Sequence, residues 1–192
     1  MYTFGALKII NGFSTVKRGL PPAISDPGEV LVQKCYEAGI VVTSLPGAAA
    51  CITALTLSGL STRRFCFEGF LPADKKEKKA ILEDLQKESR TIILYEAPHH
   101  LVRTLDALYE ALGERKLTLC RELTKKFEEV IPTTLQNARI MFETQEPRGE
   151  YVLVVEGKSL SEFQREQERW CKFRTSNSIC FYSHCMQFHA VI

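Results

Sequence analysis

Two stretches of this chain concentrate the side chains able to do chemistry. Tyr95-Glu96-Ala97-Pro98-His99-His100-Leu101 follows the apolar run Thr91-Ile92-Ile93-Leu94. Cys120-Arg121-Glu122-Leu123-Thr124-Lys125-Lys126-Phe127-Glu128-Glu129 follows Lys116-Leu117-Thr118-Leu119. Each begins where a strand-like segment ends, and in open α/β sheets ligands bind beyond the carboxyl ends of strands. Two adjacent strands delivering carboxylates, a guanidinium and imidazoles to one rim point to a site rather than a core. A third stretch, Pro46-Gly47-Ala48, joins a β-branched run to a helix start. Glycine lets a backbone approach a ligand closely, and a helix N-terminus follows. The alternative is a tight strand-to-helix turn, which any α/β protein needs.

Holding these residues in place requires alternating strands and helices. Asp26-Pro27-Gly28 reads as a turn into a helix, since Asp can cap and Pro suits the first helical position. Val30, Leu31, Cys35 and Ala38 then recur at helical spacing, and Gly39 is a natural stop. Residues 40–45 are expected to form a buried strand, being rich in β-branched types. Residues 48–57 follow as a helix whose small side chains allow close packing on a sheet. A second unit begins near Arg63, with a strand over 65–70. The charged run 74–79 enters a helix whose apolar residues are Ile81, Leu82 and Leu85. That run could hold phosphate, but a solvated helix face is the favoured reading. After the strand before Tyr95 comes a helix over 99–112, with Leu101, Leu105, Leu108 and Leu112 on one face. The strand before Cys120, an extended piece near 128–131, a helix over 135–142 and a last strand over 151–155 complete the pattern. Alternation of this kind implies α/β layers, and a hairpin near the end makes the sheet mixed. Residues 1–18 show no clear period, and after Gly157 the pattern decays.

Several of these segments also carry a resemblance. Ala23-Ile24-Ser25-Asp26-Pro27-Gly28, Ser44-Leu45-Pro46-Gly47-Ala48-Ala49-Ala50 and Ser58-Gly59-Leu60-Ser61-Thr62-Arg63-Arg64-Phe65 occur in that order. Phe67-Glu68-Gly69-Phe70-Leu71-Pro72, the two stretches above and Pro147-Arg148-Gly149-Glu150 follow. Their joint order, more than any one motif, resembles the tetrapyrrole methylase superfamily over residues 22–157. Within it, the segments resemble the branch that methylates the ribose 2'-oxygen of a cytidine in small-subunit ribosomal RNA. The resemblance implies an α/β, tetrapyrrole-methylase-like fold: a partial N-terminal α/β domain and a near-complete C-terminal α/β domain with a mixed sheet. It divides the chain into an unmatched segment 1–18, an N-terminal remnant 19–62, a C-terminal methylase domain 63–157 and an unmatched, disordered tail 158–192. The superfamily's opening loop has no counterpart here, and Arg18 stands where an Asp is expected on a cofactor-facing turn. A truncated or frame-shifted reading is expected to account for the two foreign ends, in preference to evolved divergence. The remaining strand over 40–45 has then lost its neighbours. The region before Arg63 is expected to be poorly stable alone or to pair with another copy.

The implied cofactor is S-adenosylmethionine, and the implied partner is small-subunit rRNA or the ribosomal subunit. The sulfonium is already activated, so no metal is required. Positioning supplies much of the rate, and an acceptor near the hydroxyl helps. Glu96 and Glu122 could serve as that acceptor; pairing with Arg121 or Lys125 is the favoured alternative. Pro46, Gly47 and Ala48 would contact the cofactor, with Tyr95, Ala97, Pro98 and Gly149 lining the cleft. Arg63, Arg64, His99, Arg121 and Lys125 would contact RNA. A tetrapyrrole C-methyltransferase and an inactive fragment retaining an RNA or partner surface are the competing readings.

A hydrophobic fraction of 45% and a charged fraction of 25% suit a soluble globular chain. A net charge of +2 argues against a strongly basic nucleic-acid protein, although local patches matter more than the sum. No apolar run approaches the ~20 residues of a membrane helix. Met1-Tyr2-Thr3-Phe4-Gly5 lacks a signal peptide's basic start. A cytosolic location without membrane association is expected, with a homodimer as one form of assembly. Cys35, Cys51, Cys66 and Cys120 read as buried free thiols. Cys171, Cys180, His184, Cys185 and His189 match no familiar zinc spacing, and no metal is expected.

Overall fold

The computed structural model describes the backbone of residues 6–9 and 12–15, then residues 24, 28–44 and 47–159. The chain divides into two compact units, 1–157 and 158–192. The first is built around a five-stranded mixed sheet of order β3-β4-β7-β5-β6. Its strands are β3 (Phe65–Gly69), β4 (Thr91–Glu96), β5 (Lys116–Arg121), β6 (Glu129–Thr134) and β7 (Tyr151–Val155). β3 runs parallel to β4, while β7 is antiparallel to both β4 and β5. The last strand in the chain therefore lies between two earlier ones. The expectation that β4 and β5 are adjacent is corrected: β7 is fully apolar apart from Tyr151 and buried at every position. Such a strand belongs in the middle of a sheet, covered on both faces.

Alternation along the central strands separates two cores. Ile92, Leu94, Leu117, Leu119, Tyr151, Leu153 and Val155 face α3 (Lys75–Leu85), α4 (Pro98–Leu112) and α5 (Leu135–Thr144). Ile93, Tyr95, Cys120, Val152 and Val154 face α2 (Ala50–Leu57) through Cys51, Ala54 and Leu55. Local chemistry starts α3, α4 and α5. The Asp74 carboxylate accepts from the N–H groups of Lys76 and Glu77, at 3.0 and 2.9 Å. The Thr134 hydroxyl accepts from Asn137 N–H, and Pro98 opens α4. Leu101, Leu105 and Leu108 are the fully buried face of α4, at the expected spacing.

Toward the N-terminus the structure departs from expectation. α1 (Gly28–Glu37) forms but buries no side chain. Residues 40–44 are not a buried strand: no strand is assigned there, and Val41 is 87% exposed. β-branched residues favour a pleated surface only when a neighbouring strand offers one, and none lies beside them among the described residues. Ile40 N–H instead donates back to Cys35 O, at 2.8 Å. The opening segment, read as aperiodic, contains an antiparallel pair: β1 (Ala6–Ile9) and β2 (Gly12–Thr15), with Ile9 opposite Gly12. Residues 160–192, including the Cys/His group of the tail, lie outside the described residues.

Candidate functional site

β4 and β5 run parallel to each other across β7, so their carboxyl ends reach the same rim. Tyr151 is registered with Glu96 on one side and with Arg121 on the other. The three lie in one row, with about two strand spacings, or ~10 Å, between Glu96 and Arg121. The turn before β7 and the loop between β5 and β6 meet at this rim. The start of α2 joins them on the opposite face of the sheet.

Glu96 is buried, at 5% exposure. One carboxylate oxygen accepts from Ala97 N–H at 2.9 Å, and the other from the Thr104 hydroxyl at 2.6 Å. Both bonds tie it to α4, whose N-terminal dipole favours a carboxylate there. It pairs with neither Arg121 nor Lys125. Thr104 is a contributor that sequence reasoning missed; a hydroxyl among Leu101, Leu105 and Leu108 was the signal that an acceptor lay beneath the helix.

Glu122 sits in the left-handed region, with φ 48°. Its Oε1 accepts from Glu150 N–H at 2.8 Å and from Lys125 Nζ at 3.1 Å. Its own N–H donates to Glu150 O at 3.0 Å. Lys125 Nζ also reaches Glu150 Oε2 at 2.9 Å. Gly149, at φ +80°, leaves the necessary room: a Cβ there would lie 2.6 Å from Glu122 Cγ. The Glu150 N–H and the Lys125 ammonium hold the Glu122 carboxyl below its ordinary range. Hydrogen bonds to Glu150 and Glu122 raise Lys125. The result is a charged clasp joining the loop after β5 to the turn before β7. Arg121 reaches Glu129 Oε2 at 3.3 Å across the β5–β6 pair, and its Nε is buried without a hydrogen-bond partner.

On the other face, the buried Tyr95 hydroxyl accepts from Cys51 N–H at 3.1 Å. α2 has no side-chain cap of its own at Ala49, so the sheet supplies one. Burial pushes the Tyr95 hydroxyl further toward its neutral form. Phe67 and Phe70 pack edge-on against its ring, with centroids at 4.9 and 5.7 Å. Gly47 and Ala48 approach the rim through this start of α2, and both are exposed. Pro46 lies outside the described residues. Ala97 and Pro98 are half-buried, whereas His99 and His100 are exposed with ring centroids 4.1 Å apart.

The rim thus gathers Gly47, Ala48, Tyr95, Glu96, Ala97, Pro98, His99, Arg121, Glu122, Lys125 and Gly149. It does not gather Arg63 and Arg64. They precede β3, whose first residue is registered with Thr91 at the start of β4, and so occupy the opposite rim. Burial pushes the Cys66 and Cys120 thiols up to about 11, which keeps both protonated and poorly nucleophilic at neutral pH. Among the described residues no group of three or more His, Cys, Asp and Glu could hold a metal ion. No described helix is long and apolar enough to cross a membrane.

The chain is similar to known proteins. The chain is 49% identical over 144 residues to the "Ribosomal RNA small subunit methyltransferase I" of Haemophilus influenzae, covering 73% of this chain and 51% of that protein. It is 47% identical over 149 residues to the protein of the same name from Bacillus subtilis, covering 78% and 51%. The chain spans about half the length of the curated relatives it matches. Among solved structures, diphthine synthase superposes with a TM-score of 0.56 at 14% identity, covering 78% of this chain and 62% of that one. The methyltransferase CobJ gives 0.54 at 20% identity, covering 72% and 62%. These two likenesses concern the fold alone. Residues 21–139 match the family model described as Tetrapyrrole (Corrin/Porphyrin) Methylases. With well over half of its residues inside that match, the chain belongs to the tetrapyrrole methylase family.

Proposed function

We propose that this chain forms the better part of a cleft that transfers a methyl group from S-adenosylmethionine to a ribose 2'-hydroxyl of a cytidine in small-subunit rRNA. The observation that carries this reading is 49% identity, over 73% of the chain, to a protein named for methylation of that RNA. The rim's polar geometry suits it. Methyl transfer from a sulfonium is an in-line displacement in which alignment supplies much of the acceleration. Gly47, Ala48, Ala97, Pro98 and Gly149 offer small residues and backbone for close approach of the donor. Tyr95 holds the Gly47–Ala48 approach in place through Cys51 N–H. Glu96 is fixed by Ala97 N–H and the Thr104 hydroxyl, one on each oxygen. Glu122 holds the clasp through Oε1 alone, which leaves Oε2 as the acceptor for the hydroxyl proton. His99 and Lys125 face RNA phosphate at the rim, and Arg63 and Arg64 meet RNA on the far side of the sheet. Such a protein works in the cytosol, where the exposed segment 28–44 is the natural place for a second copy to pair.

Two measurements test this. Calorimetric titration with S-adenosylmethionine should show micromolar binding; the absence of heat at high concentration would mean that the described cleft does not hold the donor. Incubation with methyl-labelled donor should label RNA in small ribosomal subunits and leave porphyrinoid precursors unlabelled. Label on the porphyrinoid instead would reassign the chain to C-methylation. A second reading, an RNA- or partner-binding module without activity, is favoured by the unburied α1. Donor binding without transfer would select it.

A further inference from the structure

We propose that Phe127 is a stacking platform for an unpaired nucleobase at this rim. The inference rests on the rRNA reading above and adds the state of the RNA: locally single-stranded. Phe127 is 63% exposed, on a loop that is firmly tied. Lys125 N–H donates to Glu122 O at 2.9 Å, and Glu128 N–H to Lys125 O at 3.2 Å. Thr124, at φ 63°, donates its N–H to the Glu128 carboxylate. The Glu122–Lys125–Glu150 clasp anchors the loop's base. An apolar ring held out in water on a fixed loop is not explained by packing. Phe70 makes the contrast: it is exposed at the same rim, but its ring leans on Tyr95. Phe127 has no aromatic partner among the described residues.

The cation at the ring is the group able to meet an RNA phosphate. Lys126 Nζ lies 5.5 Å from the Phe127 centroid and has no ion pair among the described residues. The acidic neighbours are engaged inside the loop. Glu122 and Glu150 hold Lys125, Glu128 holds Thr124 N–H, and Glu129 holds Arg121. An exposed aromatic ring with an ammonium over one face, itself without an ion pair among the described residues, is an arrangement that can receive a splayed base on the other face and its phosphate at the ammonium. Bases within a duplex are already stacked and cannot use it.

The test uses the full chain, saturated with S-adenosylmethionine, and a fluorescent single-stranded oligoribonucleotide of about 12 nucleotides containing cytidine. Anisotropy titrations compare the wild type with Phe127→Ala, Phe127→Leu and Phe127→Trp. Loss of one stacked base weakens binding roughly 5- to 150-fold, so Ala and Leu should fall in that range while Trp retains affinity. The salt slope should stay unchanged in Phe127→Ala and drop by about 1 in Lys126→Ala. A thermal midpoint equal to the wild type's verifies that each variant is folded. Undiminished binding by Phe127→Ala, full affinity in Phe127→Leu, or a change of oligomeric state in Phe127→Ala would overturn the platform. The last two outcomes would mark plain apolar cover and a protein interface, respectively. If wild-type protein binds RNA and Phe127→Ala binds it equally, only the platform falls. If wild-type protein binds the donor but no RNA, the rRNA reading falls and takes the platform with it.

Discussion

Glu96 engages both carboxylate oxygens with α4, so one of its two buried hydrogen bonds depends on Thr104. Thr104→Val keeps the shape and removes the hydroxyl, leaving a carboxylate oxygen unsatisfied. The expected cost is about 2–3 kcal/mol, read from urea unfolding, with Thr104→Ser close to wild type. Gly149→Ala attacks the clasp twice, through the left-handed backbone and through the 2.6 Å approach to Glu122 Cγ. A loss of roughly 2 kcal/mol or more is expected. Pairing it with Glu122→Ala should recover the steric part, so the two substitutions should be less than additive in a double-mutant cycle. A fully additive result would show that the carboxylate side chain does not fill the space beside Gly149. The polar residues at both strand ends were legible in the sequence because each follows an apolar run. Their engagements were less so. Glu122 and Lys125 are near neighbours in sequence, and their pairing could be anticipated. Gly149 and Glu150 join them only through a loop closure that no local spacing encodes.

The strands and helices after Arg63 follow their periodicity, because each has a sheet or helix waiting to cover its apolar face. The segment 40–44 shows what happens otherwise. Its residue types suit a strand, yet it stays exposed, since propensity on this scale is secondary to the presence of a partner. Hydrogen exchange separates the two cases. Amides of β4 and β7 should exchange only through global unfolding. Those of Val41 to Ser44 should exchange at once, Ile40 being slowed by its bond to Cys35. Protection of 41–44 in a monomer would contradict the exposed placement. α2 lies between these extremes. Tyr95→Phe deletes the acceptor for Cys51 N–H, so the start of α2 should exchange faster while β5 and β6 are unaffected.

At the scale of the whole fold, two carboxylates among the described residues link stability to acid. Hydrogen bonding from Arg90 lowers Glu88 from 4.5 to about 2, and Glu122 is depressed by Glu150 N–H and Lys125. A depressed carboxylate contributes stability that is complete above its unfolded value and lost as pH falls through its folded one. Unfolding free energy should therefore decline as pH drops from about 4.5 toward about 2. Arg90→Met should flatten the Glu88 share of that decline. An unchanged slope would mean that this pair is not what links protons to folding. The overall α/β class was open to sequence reasoning, but the strand order was not, because β7 finds its place by contacts far along the chain. That position has a consequence for biosynthesis. As the polypeptide emerges from the ribosome, β4 and β5 wait with bare hydrogen-bonding edges until Val155 has cleared the exit tunnel. Only then can the central strand slot between them. Nascent chains halted before Tyr151 should thus be the sticky, chaperone-dependent species.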